Sequence, residues 1–365
     1  MKIKLPLFFL LFFSFVDAQV PSAWSSSSTY TSGALALDAN GVTYIAQQDV
    51  SAGIALSNTT YWKSLDAAAP TSAPSTSAPT TTPDTSTVPQ STPDTNATNQ
   101  STAAKLSNLS TRGFVGTNDA QMIAGFIVSG TGSTTVTIRA LGPTIADAPY
   151  NVNGTISDPT LTVVLPDGSF VSNDNWSEAS SSSAVQTSGR TPGYSSESAV
   201  QITVSAGSYT AIVGGANNST GVALVEVYDE STGGDSIQLS NLSTRGFVGD
   251  GDSQMIAGFI VGGDSGSSSK VTIRALGPTI ADAPYNVSGT LTDPNLTIVD
   301  SSGNFISVDN WQSSTSADAI ISSSKSPGYS VESAHQLSVA PGNYTAIVGY
   351  ASGSTGVALV EVYQE

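Results

Sequence analysis

Residues 136–152 read Val-Thr-Ile-Arg-Ala-Leu-Gly-Pro-Thr-Ile-Ala-Asp-Ala-Pro-Tyr-Asn-Val, and the same letters return unchanged at 271–287. Any fold for this chain must therefore hold two near-identical units, each large enough to bury a core. The copies run over 105–230 and 237–365, joined by Ser231-Thr232-Gly233-Gly234-Asp235. Leu106 matches Leu239, an offset of 239 − 106 = 133, whereas Ile138 matches Ile273, an offset of 273 − 138 = 135. Copy two thus gains two residues around Gly263 to Ser269. An insertion tolerated there predicts an exposed hairpin tip.

Within copy one, the segments 122–128, 136–141, 161–165, 199–204, 209–213 and 221–228 are short, alternating and rich in β-branched residues, as strands are. Pro166-Asp167-Gly168 and Ala206-Gly207 read as turns between them. No segment sustains a helical period. The expected fold class is all-β: a small β head, a disordered linker, and two tandem antiparallel β-sandwich domains of jelly-roll type.

The N-terminus has the grammar of a secretory signal over residues 1–18: Lys2 and Lys4, an apolar run over 5–16, then Val16-Asp17-Ala18 before Gln19. The run is short for a bilayer span and no basic stop follows, so no transmembrane anchor is expected after cleavage. Cleavage would take the net charge from −17 to −17 − 2 + 1 = −18. With only eleven Lys and Arg, that acidity argues against nucleic acid and anionic membranes as partners. A secreted, extracellular chain without cysteine must hold its fold by core burial, which points to a bacterial exoprotein.

Residues 19–65 form a compact unit with its own aromatic set, Trp24, Tyr30, Tyr44, Tyr61 and Trp62. Asp38-Ala39-Asn40-Gly41, between two alternating runs, predicts a hairpin. Residues 66–104 are Ala-Pro, Thr-Pro and Ser-Thr runs with little to bury, an extended linker open to O-glycosylation.

Ala23-Trp24-Ser25, Tyr30, Gly41-Val42-Thr43-Tyr44-Ile45-Ala46 and Tyr61-Trp62-Lys63-Ser64-Leu65 occur in the order of the small chitin- and cellulose-binding modules. The head resembles carbohydrate-binding module families 5 and 12. That resemblance implies sugar rings stacked on the faces of Trp24, Tyr30, Tyr44, Tyr61 and Trp62. Where chitinase members carry adjacent aromatics after Tyr-x-Ala, this chain has Gln47-Gln48-Asp49. A head this small also needs aromatic burial, so the same rings are candidates for its core. In each copy of the body, Asp158-Pro159-Thr160-Leu161, Asn173-Asp174-Asn175 and Ala206-Gly207-Ser208-Tyr209-Thr210-Ala211 resemble the bacterial pre-peptidase C-terminal domain, an accessory β-sandwich. The whole copy is similar to a tandem module of large exported proteins of environmental bacteria.

Catalytic sets are scarce. The only histidine, His335, stands where copy one has Val200, which fits a strand side chain rather than a base. Without cysteine there is neither a thiol nucleophile nor a Cys-based zinc site. Asp158, Asp174, Glu197 and Glu226 recur as Asp293, Asp309, Glu332 and Glu361, so residue type alone leaves a glycosidase pair open. Asn173 and Asp174, with Asp309 in copy two, are candidate calcium ligands, hard oxygens on a loop. Arg139 and Arg274 are expected in buried ion pairs with Asp147 and Asp282 or with the glutamates, steadying the Gly-Pro loop. Tyr150, Trp176 and Tyr194, with Tyr285, Trp311 and Tyr329, could face a ligand or clamp loops.

The expected function is a secreted, non-catalytic carbohydrate-binding protein needing no cofactor beyond possible calcium. Its expected partner is a polysaccharide or cell-surface glycan, chitin-like or of the cell wall. The alternatives are a structural or adhesive surface protein whose repeats self-associate, and an accessory chain of a glycan hydrolase system.

Overall fold

The computed structural model describes residues 22–30, 35–37, 43–46, 48–64, 103–231, 236–300, 302–351 and 355–365. The expected signal, and the linker up to residue 102, lie outside them. The head is one four-stranded sheet of β1 (Ser22–Ala23), β2 (Leu35–Leu37), β3 (Thr43–Ala46) and β4 (Trp62–Ser64). Leu35 of β2 lies opposite Ile45 of β3, and Leu37 opposite Thr43, the pairing that the Asp38 to Gly41 turn predicts. β4 adds on the other side of β3, with Trp62 opposite Ala46.

The body is all-β. Copy one contains β5 (Lys105–Val115), β6 (Met122–Leu141), β7 (Pro159–Val164), β8 (Phe170–Asn173), β9 (Ser198–Gly215) and β10 (Gly221–Asp229). Copy two contains β11 (Ile237–Val248), β12 (Met255–Gly262), β13 (Ser269–Leu276) and β14 (Pro294–Val299). It continues with β15 (Phe305–Val308), β16 (Ser333–Val339), β17 (Gly342–Tyr350) and β18 (Gly356–Gln364). Short helices α1 (Pro143–Ala146), α2 (Ser182–Thr187), α3 (Pro278–Ala281) and α4 (Ala317–Ser322) interrupt the strands.

Segments that read as pairs of short strands are continuous in copy one. β6 pairs with β9 from Met122–Val213 to Val128–Gly207, and again from Ser133–Ser205 to Ala140–Ser198, with a register shift between Val128 and Ser133. Gly130 sits at this corner with φ 111°, and a methyl group there would stand 1.8 Å from the Ser236 carbonyl oxygen. Only glycine fits both demands. In copy two both corners break. Pro341 stands where copy one has Ala206, offers no N–H to a ladder, and lies between the end of β16 and the start of β17. The two extra residues before β13 widen the other corner, where the Ser267 N–H and hydroxyl both donate to the Asp264 carbonyl. That segment is exposed, as the insertion predicts. It is no hairpin tip, however, because β12 and β13 do not pair with each other.

The fourteen strands of the body form one continuous sheet, which their partners trace as two runs joined through β6 and β9 and through the parallel pairing of β5 with β11. One runs β8, β7, the second half of β9, the first half of β6, β11, β18, β13, β16. The other runs β15, β14, β17, β12, β5, β10, the second half of β6, the first half of β9. Each run is part copy one and part copy two. The expected all-β class is present, and the strands of the two copies are interleaved along both runs. β5 is held between its own β10 and β12 of the other copy, with Leu109 opposite both Val227 and Phe259. β11 is held between its own β18 and β6 of the other copy. Midway, the buried hydroxyls of Thr111 and Thr244 meet at 2.8 Å.

One apolar cluster follows from this pairing, joining Leu106, Leu109 and Phe126 to Leu239, Leu242 and Phe259. Full burial of such a side chain contributes roughly 1.5–3 kcal/mol. The shared sheet and core predict that the body unfolds in a single transition. Leu109→Ala is expected to cost about 2–5 kcal/mol and to lower that transition without splitting it. Calorimetry of the variant checks this; two body transitions, only one of them shifted, would contradict it.

Candidate functional site

The head's aromatics form a cluster rather than an exposed row. Ala36, Ala46, Val50, Leu56 and Trp62 are buried, with Trp24, Tyr30, Tyr44, Ile54 and Tyr61 packed around them. Trp62 is 1% exposed and sits edge-on to Tyr30, ring centroids 5.0 Å apart. The indole N–H groups of Trp24 and Trp62 both donate to the Ile54 carbonyl at 3.3 Å. The Tyr30 hydroxyl accepts the Ser25 N–H at 2.7 Å. The expectation of sugar stacking on Trp62 is therefore corrected: its ring has no face to offer, because a disulfide-free head needs its largest side chain as core. Tyr30 is half-buried and tied at its hydroxyl. Trp24, Tyr44 and Tyr61 are the remaining half-buried rings, with Gln48 exposed nearby in sequence.

In the body, the repeated Gly-Pro loop is held by a glutamate that residue type marks only as a carboxylate. Glu197, fully buried, accepts the Gly142 and Thr144 N–H groups at 2.9 and 2.7 Å on one oxygen. Its other oxygen accepts the Thr144 hydroxyl at 2.5 Å and the Tyr194 N–H at 3.2 Å. Glu332 makes the same bonds to Gly277, Thr279 and Tyr329. The Tyr194 hydroxyl donates to Asp147 at 2.6 Å, and the Trp176 indole donates to the Tyr194 carbonyl at 3.1 Å. These aromatics clamp loops. Tyr150 differs, at 60% exposed. A sequence signal for the clasp exists: Pro192-Gly193-Tyr194 and Glu197-Ser198-Ala199 return unchanged at 327–329 and 332–334.

Arg139 pairs with Glu226, not Asp147. Its Nε donates to Glu226 at 3.0 Å, its Nη1 to the Arg190 carbonyl at 2.9 Å, and its Nη2 also reaches the same carboxylate. Tyr228 donates to the other Glu226 oxygen at 2.7 Å, and the Arg190 guanidinium lies 3.9 Å above its ring. Arg274, Glu361, Tyr363 and Lys325 repeat the arrangement. Burial, then the Glu226 charge, pushes the Tyr228 phenol up to about 12. This network lies beside the Gly-Pro loop and does not itself bond to it.

The calcium set does not assemble. The Asn173 side-chain oxygen already accepts the Ala199 N–H at 2.9 Å, and Asp309 accepts from Asn310 at 3.0 Å. Among the described residues no group of three or more His, Cys, Asp or Glu converges as metal ligands. One oxygen of Asp158 and one of Asp174 are buried without a partner, and burial, then the Asp158 charge, raises the Asp174 carboxyl above its ordinary range. His335 is buried, with Nδ1 2.8 Å from the Ser314 hydroxyl and 3.3 Å from that of Ser316. Copy one has Ala179 and Val200 at the positions of Ser314 and His335, so the contact is private to copy two.

No family model and no curated protein matches this chain. Among solved structures, one similar chain is a DUF4785 family protein from Legionella pneumophila subsp. pneumophila str. Philadelphia 1. It is 9% identical, the match covers 74% of this chain and 70% of that one, and the TM-score is 0.22. At that score the likeness carries no argument.

Two pH effects follow. Between pH 10 and about 12 the unfolded chain releases the Tyr228 proton that the folded chain keeps, so stability falls as pH rises through this window. Tyr228→Phe is expected to flatten that fall in urea-midpoint measurements. Burial lowers the His335 pKa below its ordinary 6.5, so stability is kept above 6.5 and falls as the unfolded chain takes up a proton below it. His335→Val, the copy-one residue, is expected to remove that acid-side loss; an unchanged pH profile would contradict it.

Proposed function

We propose that this is an exported, non-catalytic carbohydrate-binding protein, attaching by its head to a polysaccharide or cell-surface glycan. The observation that carries this reading is that Trp24, Tyr44 and Tyr61 keep partly exposed rings once Trp62, Val50 and Leu56 have supplied the core of the head. Aromatic faces stack on the apolar side of pyranose rings, and polar groups at the rim fix orientation. The recurring carboxylates of the body support a non-catalytic role, because Glu197 is bonded to loop N–H groups and Glu226 to Arg139 and Tyr228.

A second reading, self-assembly through the body, has one observation in its favour. On β15, an end strand of its run, Phe305 is 72% and Ile306 40% exposed. An open apolar edge is a template for pairing with a second copy. Multimers in sedimentation that Phe305→Lys dissolves would favour this reading.

The full chain is expected to be retained on at least one of chitin, cellulose and peptidoglycan. Trp24→Ala and Tyr61→Ala are each expected to weaken retention about tenfold, or ~1.4 kcal/mol. Circular dichroism shows whether each variant head is still folded. Failure of the intact chain to bind any of the three would sink the proposal.

A further inference from the structure

The contacts between the copies come in exchanged pairs. The offset of 133 that relates Leu106 to Leu239 also relates Val128 to Val261. β6 sets Val128 opposite Leu239, and β12 sets Val261 opposite Leu106, the same contact with the copies exchanged. Side chains follow the ladders. The Ser107 hydroxyl donates to the Ile260 carbonyl at 3.3 Å, and its equivalent Ser240 donates to the Ile127 carbonyl at 3.4 Å. Asp119 accepts the Ser288 N–H at 3.0 Å, and its equivalent Asp252 accepts the Asn153 N–H at 3.0 Å. Between β5 and β11, residues meet their own equivalents: Leu106 lies opposite Leu239 and Phe114 opposite Phe247. The Phe114 and Phe247 rings pack edge to face with centroids 6.0 Å apart, and the Thr111 and Thr244 hydroxyls are 2.8 Å apart. A residue that meets its own equivalent stands on a two-fold axis, so the joint has the form of an isologous dimer interface.

The two surfaces that meet there are also one sequence. Residues 106–116 return letter for letter at 239–249, and residues 121–128 at 254–261. Where neighbouring positions differ, as at Asn153 and Ser288 or Lys105 and Gln238, the exchanged contact is made by the backbone and persists. One bond is not exchanged. Gln364 of copy two holds the Leu106 N–H and the Ala104 carbonyl at the start of copy one, at 3.0 and 2.9 Å. Its counterpart is Asp229, which bonds within its own copy to Thr134 and Ser231. Apart from Gln364, these strands of copy two present to copy one nothing that a second copy one would not present. What makes the pairing internal is the short tether at 231–235, which holds the neighbour at an effective concentration of about millimolar.

We infer that the joint is a homotypic recognition surface whose partner is a second copy of this unit, in the same chain or in another. Released from the tether, copy one pairs with copy one, and copy two with copy two, through the ladders that now join one to two. The pairing does not depend on what the head binds, and it uses strands other than the exposed edge strand β15. The one–one pair is the weakest of the three, because it lacks the Gln364 bonds.

The test places a protease site within 231–235 of the full chain and cuts it after folding. Native mass spectrometry of the cut protein is expected to show the halves still bound one to one. After unfolding in urea and refolding, three pairs are expected, one–two, one–one and two–two, told apart by mass, with one–one the least abundant. Return of the one–two pair alone, or of unpaired halves, overturns the inference. Should the halves aggregate on refolding, a full-length chain in which a second 105–230 replaces 237–365 decides the matter. A monomer with a single unfolding transition upholds the inference, and an unfolded or aggregated chain overturns it.

Discussion

A strand inside a sheet needs a hydrogen-bonding neighbour on each side, and the first strand of each copy finds one of its two only in the other copy. Leu109 of β5 lies opposite Val227 of its own copy and Phe259 of the other. β11 stands between β18 and β6 in the same way. Removing either copy would leave an unpaired edge beside an open apolar core, the arrangement that promotes aggregation. The single cluster containing Leu106, Leu109, Leu239 and Leu242 is the packing counterpart of these ladders.

The same constraint gives meaning to the unchanged stretch at 136–152 and 271–287. Its strand half supplies Arg139 to Glu226 across the ladder, and its loop half places Gly142 and Thr144 where Glu197 can take both N–H groups. Both carboxylates act on the protein's own frame. A catalytic carboxylate needs a reacting proton or carbon within reach, and these have backbone amides and a guanidinium instead.

On the proposed reading, function divides between the two parts of the molecule. The head is small and Trp62 has gone into its core, so on that reading recognition would fall to the half-buried rings at its rim. In the body, Arg139, Arg190 and Arg274 are paired with glutamates. At the joint Arg245 is instead buried with no hydrogen-bond partner, and Asp119 is the charge that acts on it.

The sequence by itself determined the all-β class, the two copies and the head hairpin, because each depends on a local period or turn residue. It also marked Arg139 as a paired charge, leaving the partner open between Asp147 and the glutamates. Tertiary structure made that choice, since Glu226 is the residue directly opposite Arg139 in the β10–β6 ladder. It likewise decided that Trp62 is core while Trp24 and Tyr61 remain at the rim, a distinction invisible in residue type. The run 105–115 does not read as a strand, and only its pairing on both sides makes it one. Local sequence encodes which faces of a strand are apolar. Which strand lies beside it, and from which copy, is fixed only when distant segments compete for the same edge.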